Sequence, residues 1–255
     1  MRILVTRPPG AWPGLAARFP ESRVAITMAP TTIQVEPQDP VPGDEAIARL
    51  DSYDWLVVTS GQGVRALVLK LAARDRTRLP ARMRVAAVGS ATARALEGMG
   101  AHVELTASDQ RAEGLASEMR DRLRPASRVV LVRPEGPAGL LAASLRAAGA
   151  HVDEAPLYRT VAAPNAHALA RAVLSGAYDA VVFTAPSALQ LWLEAAGPDR
   201  AALAEALARM ARVAIGPTTA AHLQAHGLSA DAVAAAPTEE AVGDAIARVL
   251  ARATW

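Results

Sequence analysis

Two stretches of this chain are versions of one unit, and that internal repeat limits the fold more tightly than any single motif. Tyr53-Asp54-Trp55-Leu56-Val57-Val58-Thr59-Ser60 matches Tyr178-Asp179-Ala180-Val181-Val182-Phe183-Thr184-Ala185 in register. Arg84-Val85-Ala86-Ala87-Val88-Gly89-Ser90-Ala91-Thr92 finds its partner in Arg212-Val213-Ala214-Ile215-Gly216-Pro217-Thr218-Thr219, with Gly89 over Gly216 and Thr92 over Thr219. Gly100 then falls over Gly227, and Ile3-Leu4-Val5-Thr6-Arg7-Pro8 resembles Val129-Val130-Leu131-Val132-Arg133-Pro134. One copy runs straight through from Tyr53 to about Ala155. The other is permuted, with its last two strands at the N-terminus and its first three after Tyr178.

Each apolar run is short, rich in β-branched residues, and followed by Gly, Ser, Thr or Pro and then a helix-period segment. Strands buried on both faces of a parallel sheet have that pattern. The spacing predicts strands near 2–6, 23–28, 54–59, 84–88, 102–105, 128–133, 151–155, 179–184, 212–216 and 230–234, with helices between them. The expected fold is α/β: two similar lobes, each a parallel sheet flanked by helices. Residues 1–36 plus 161–255 form lobe 1 and residues 37–160 form lobe 2. The chain crosses twice, and Thr32-Ile33-Gln34-Val35 and Leu157-Tyr158-Arg159-Thr160-Val161 can pair as a two-stranded β linker acting as a hinge beside an interlobe cleft. One wide sheet of ten strands is the alternative.

Composition fits this layering, since 51% of residues are apolar but only 4% are aromatic, so the cores are built from small aliphatic side chains. With no cysteine, a disulfide scaffold, a thiolate nucleophile and any Cys-based metal site are excluded. The N-terminal Met1-Arg2-Ile3-Leu4-Val5-Thr6-Arg7 lacks a signal-peptide core, and no apolar run is long enough to span a bilayer, so a cytoplasmic protein without membrane partners is expected. The net charge is +2, Lys70 is the only lysine, and no dense basic stripe with interleaved aromatics is present, so nucleic acid is not an expected partner.

In open parallel sheets ligands sit beyond the carboxyl ends of the strands, where helix N-termini offer free amides and a dipole that favours anions. Those ends carry Thr6-Arg7, Thr59-Ser60-Gly61, Gly89-Ser90, Arg133-Pro134, Thr184-Ala185-Pro186-Ser187 and Gly216-Pro217-Thr218-Thr219. Such a set suits a large ligand with several carboxylates, although Ser and Thr also cap helices and Gly also permits turns. The Gly-x-Gly-x-x-Gly fingerprint and the Lys-bearing phosphate loop are both missing, which leaves a nucleotide-dependent enzyme without support. His222 and His226 lie four apart and could form half a metal site, but no third ligand is near in sequence.

Val5-Thr6-Arg7-Pro8, Asp54 through Thr59-Ser60, Val88-Gly89 with Thr92, Leu157-Tyr158-Arg159-Thr160, Phe183-Thr184-Ala185-Pro186-Ser187 and Ile215-Gly216-Pro217-Thr218-Thr219-Ala220 resemble the uroporphyrinogen-III synthase family, in order and across nearly the whole chain. The resemblance implies a monomer that binds hydroxymethylbilane, a linear tetrapyrrole polycarboxylate, taken by transient hand-over from the preceding pathway enzyme. It implies a lyase reaction that loses the terminal hydroxyl, forms a spiro intermediate and closes the macrocycle with the last ring inverted, using no metal or organic cofactor. Tyr158 matches the family's linker tyrosine and is the catalytic candidate, an acid for the departing hydroxyl or only an orienting group. Gly216, Thr218 and Thr219 are the candidates for substrate carboxylates. Thr59, Ser60, Gly89, Thr92 and Ser187 are further contacts, while Arg7 and Arg133 bind substrate or serve as ion-pair partners. Two departures stand out: Ala185 replaces the family's more frequent Ser, and Gln62-Gly63 replaces Asn-Ala or Arg-Ala. The alternative is a non-catalytic member that binds a small anionic ligand.

Overall fold

The predicted apolar runs become strands to within a residue or two, except that the strand expected at 151–155 continues to Ala162 through the expected linker segment. The structure, a computed structural model, describes residues 1–252 apart from 110 and 138. In chain order the strands are β1 (Arg2–Val5), β2 (Ala25–Met28), β3 (Thr32–Val35), β4 (Trp55–Val58), β5 (Arg84–Ala87) and β6 (Val103–Thr106). They continue with β7 (Arg128–Pro134), β8 (His151–Ala162), β9 (Ala180–Phe183), β10 (Ala211–Ala214) and β11 (Ala232–Val233). The α-helices are α1 (Val41–Ala48), α2 (Gly61–Ala72), α3 (Ser90–Gly98), α4 (Ala112–Arg120) and α5 (Leu140–Ala147). After them come α6 (Ala166–Leu174), α7 (Ala188–Ala195), α8 (Arg200–Arg209), α9 (Pro217–Ala225) and α10 (Glu239–Arg252).

Contacts divide the chain into two compact units, Met1–Ile33 with the chain from Thr160 onward, and Gln34–Arg159. The first unit holds a sheet in the order β11-β10-β9-β1-β2, and the second holds β8-β7-β4-β5-β6 with β3 beside β8 at its edge. Replacing β9, β10, β11, β1 and β2 by β4, β5, β6, β7 and β8 turns one order into the other, which is the correspondence that the sequence repeat requires. The chain passes between units within β3 and again within β8, and these two strands are hydrogen-bonded neighbours.

Both sheets are covered on both faces, as their continuous apolar runs demand. In the first unit Leu4, Val181 and Phe183 pack under α6 to α9, while Ile3, Val5 and Val182 face Trp12, Val242 and Ile246. In the second, Leu56, Val58 and Val130 meet α1, α2 and α3, while Trp55, Val57 and Leu131 meet α4 and α5. The aspartates of the repeated Tyr-Asp pairs have a structural role at the amino ends of the strands. Asp54 accepts from the backbone N–H of Arg128 at 2.8 Å, and Asp179 accepts from that of Arg2 at 2.7 Å, each fixing the start of the neighbouring strand.

One irregularity shapes the site. Along β7 and β8, Arg133 pairs with Pro156 but Pro134 pairs with Tyr158, so Leu157 is an extra residue and β8 carries a bulge. A bulge breaks the strict alternation of side chains and re-aims one of them, and here Leu157 and Tyr158 consecutively line the same concavity. Helix α1 lies against this bulge at Gly43, where an added Cβ would meet the Pro156 carbonyl oxygen at 2.7 Å and the Leu157 side chain at 2.9 Å. A backbone oxygen cannot rotate away. Gly43→Ala is therefore expected to destabilise the protein by about 1–3 kcal/mol, read from the urea midpoint; an unchanged midpoint would show that α1 is free to shift.

Candidate active site

In each sheet the strand order reverses at one point, β4/β7 in the second unit and β9/β1 in the first. Connections from the two strands leave in opposite directions there, opening a crevice at their carboxyl ends. The two crevices are closed at the bottom by equivalent hydrogen bonds. Thr59 Oγ1 donates to the Val132 carbonyl at 3.4 Å, and Thr184 Oγ1 donates to the Thr6 carbonyl at 2.7 Å. The Thr6 hydroxyl donates to the Val182 carbonyl and accepts from the Thr184 N–H, both at 3.0 Å. The threonine hydroxyls at these strand ends thus hold neighbouring strands together.

Above Thr59, Ser60 caps α2 by accepting from the Gly63 N–H at 3.0 Å, and its Oγ lies 2.8 Å from the Tyr158 hydroxyl. Tyr158 is only 7% exposed. Burial raises its pKa above the ordinary 10.0, while the hydrogen bond shared with Ser60 pulls the other way. The phenol is therefore neutral across the physiological range and can act as a donor. If Ser60 donates to the phenolic oxygen, the phenol proton is left free to point into the concavity that Tyr158 lines.

That concavity, about 560 Å³, lies wholly within the second unit. Leu157, Ala66 and Leu69 give it an apolar floor; Gln34, Gln62, Arg65, Lys70 and Arg74 add polar groups. Lys70 sits 3.1 Å from both Glu36 and Asp44, and Arg74 sits 3.3 Å from Asp44. The basic face of α2 is absent from the residues the sequence singled out.

The structure distributes the other candidates unevenly. Gly89 and Gly216 are the N-caps of α3 and α9, both extended, and neither helix start has a side-chain cap. At α9, where Pro217 has no N–H, the amides of Thr218 and Thr219 are open to an outside acceptor. Thr218 is exposed on that turn, but Thr219 is 2% exposed and its equivalent Thr92 is also buried, so both face the sheet. Ser187 is half-buried at the N-cap of α7 without a capping bond of its own. Arg133 is engaged on all sides, by Glu154 at 2.5 Å and by the carbonyls of Pro134 and Gly136 at 2.8 and 3.0 Å, so it stiffens its own loop. The guanidinium of Arg7 stacks over Trp12, 4.3 Å from the ring centroid. The ring of His226 contacts the His222 carbonyl at 2.9 Å, and among the described residues no group of three or more His, Asp or Glu side chains could hold a metal ion. Among those residues, too, no helix is long and apolar enough to cross a membrane.

Fold and site together define a protein of two related parallel α/β units, each with a switch point and a helix that starts after a glycine, the second adding a tyrosine–serine pair. The family described as uroporphyrinogen-III synthase HemD matches residues 15–244. The uroporphyrinogen-III synthase of Synechococcus elongatus is 30% identical over 159 residues, covering 62% of this chain and 60% of its own. Two solved structures share the fold. A mutant uroporphyrinogen III synthase from the extremely thermophilic bacterium Thermus thermophilus superposes with a TM-score of 0.70 at 24% identity, over 99% of each chain. The uroporphyrinogen-III synthetase of Helicobacter pylori does so at 0.60 and 18%, over 98% of this chain and 100% of its own. The chain belongs to the uroporphyrinogen-III synthase family, a family of enzymes of tetrapyrrole biosynthesis.

Proposed function

We propose that the chain is a catalytically active uroporphyrinogen-III synthase, a cofactor-independent lyase that closes hydroxymethylbilane with inversion of its terminal ring. The observation that carries this reading is the Tyr158–Ser60 pair, a neutral phenol hydrogen-bonded at 2.8 Å beside an apolar concavity with a cationic rim. The reaction needs the terminal hydroxyl to take up a proton and leave as water, pushed out by the electron pair of the pyrrole nitrogen on the ring that carries it. The proton is returned when the attacked ring loses its own hydrogen on closure. Tyr158 donates a hydrogen bond to that departing oxygen, and Ser60 supports the phenolic oxygen as charge builds on it.

The substrate is a flexible polyanion, and unassisted closure gives the isomer without inversion. The protein's task is therefore mainly positioning. The amides of the α9 start after Gly216, with the Thr218 hydroxyl, the Ser187 turn and the glycine turn at Gly89, are suited to its carboxylates. Thr92 and Thr219 act from behind, packing these turns onto their sheets, and Thr59 and Arg133 fix the shape of the second unit's crevice. We assign the protein to the cytoplasm as a monomer that receives its unstable substrate by direct hand-over.

The test is a coupled assay that supplies freshly made hydroxymethylbilane and resolves the I and III isomers by chromatography. Excess isomer III over a protein-free control is expected. An isomer ratio equal to that control would overturn the reading.

A further inference from the structure

Arg65 is exposed on α2, lines the 560 Å³ concavity, and has no hydrogen-bond or ion-pair partner among the described residues. The other two cations of this rim are already committed. The Lys70 side chain, 14% exposed, is held between Glu36 and Asp44, and Arg74 shares Asp44. The lining thus carries one positive charge more than negative ones, and the excess sits on the residue whose guanidinium is free. Beneath it, Ala66, Leu69 and Leu157 offer an apolar surface on which a flat ring can lie. Arg65 is five residues beyond Ser60, roughly 7.5 Å along the helix axis at ~1.5 Å per residue, and Ser60 is bonded to Tyr158.

We propose that this concavity seats one carboxylated pyrrole of the linear substrate, with Arg65 gripping a carboxylate arm while the ring rests on the apolar floor beside Tyr158. The inference rests on the proposed activity and adds a residue to it. A guanidinium fork matches a carboxylate in two parallel hydrogen bonds. An exposed, unpaired arginine gives up no existing ion pair when it forms them, whereas Lys70 and Arg74 would have to release Asp44 or Glu36. Only one terminal ring carries the hydroxymethyl group, so a carboxylate arm held on Arg65 while that group meets Tyr158 fixes both which ring is seated and its orientation.

The test compares Arg65→Ala and Arg65→Lys with the parent protein in two measurements. One is steady-state cyclisation of hydroxymethylbilane; the other is an equilibrium titration with the polycarboxylate macrocycle uroporphyrin III, followed by tryptophan fluorescence, which needs no turnover. Arg65→Ala should raise both KM and the uroporphyrin dissociation constant about tenfold and leave kcat within about twofold. Arg65→Lys, which keeps the charge but loses the fork, should fall between the two. An unchanged dissociation constant in Arg65→Ala, or equal losses in both variants, would overturn the assignment even if isomer III is made normally. A parent protein that makes no isomer III but shows the graded losses in the titration would overturn the activity and uphold the site.

Discussion

Exchanging Trp192 for Ala is expected to lower the unfolding free energy by about 3–5 kcal/mol. The indole is 0% exposed on α7, within the cluster formed by Leu4, Val181 and Phe183 of the sheet and by Ala166, Leu169 and Leu207 of α6 and α8. Its ring centroid lies 6.5 Å from that of Phe183 at an interplanar angle of 59°, and its N–H donates to the Ala166 carbonyl at 2.9 Å, tying α7 to the start of α6. The neighbours are mostly Ala, Leu and Val. Short, stiff side chains cannot reach into the space that an indole leaves, so the cavity persists and its cost adds to the lost burial. Trp192→Phe should separate the two contributions, because it refills most of the volume but gives up the hydrogen bond, a loss of about 0.5–1.5 kcal/mol beyond the volume lost. Urea unfolding followed by far-UV circular dichroism measures both changes as midpoint shifts at constant slope. A shift in the Ala variant worth less than about 1 kcal/mol would mean that the helices close over the gap.

The sequence repeat made the sheet order legible because strands buried on both faces must be apolar throughout, and so Val181-Val182 can be set against Leu56-Val57 without knowledge of their partners. The burial of Thr92 and Thr219 was also within reach. Each stands four residues before a buried leucine, Leu96 and Leu223, and so shares the helix face turned to the core. Other features had no local signal. The bulge at Leu157 is a relation between β8 and β7, and Leu157-Tyr158-Arg159 alone reads as an unbroken strand. Arg133 looked available for substrate because Glu154, its partner at 2.5 Å, is 21 residues away and arrives only through pairing of β7 with β8. The concavity depends likewise on α1 and the segment after β3 bringing Asp44 and Glu36 to α2, which leaves Arg65 as the unmatched charge.

Tyr158→Phe is expected to lower kcat for isomer III about 10- to 100-fold, with KM nearly unchanged, since a ring that packs the same way but cannot donate loses stabilisation only as the hydroxyl leaves. Loss of the bond to Ser60 should cost the fold only about 1 kcal/mol, so the variant remains folded and the rate effect is not a stability effect. The pH dependence follows from burial. Because the folded pKa of Tyr158 lies above 10.0, its proton is present at neutral pH and is lost only as pH rises through that higher value. The contribution of the phenol to kcat should accordingly be constant between about pH 6 and 9, and the ratio of parent to Phe-variant rates should not vary across that span. A ratio that changes within it would assign the titration to another group. Ser60→Ala should also slow turnover, and the double variant should be no slower than Tyr158→Phe alone, because Ser60 acts through the phenol. Full parent activity in Tyr158→Phe would remove the phenol from the chemistry, leaving the amide-rich turns after Gly89 and Gly216 to direct ring closure by position alone.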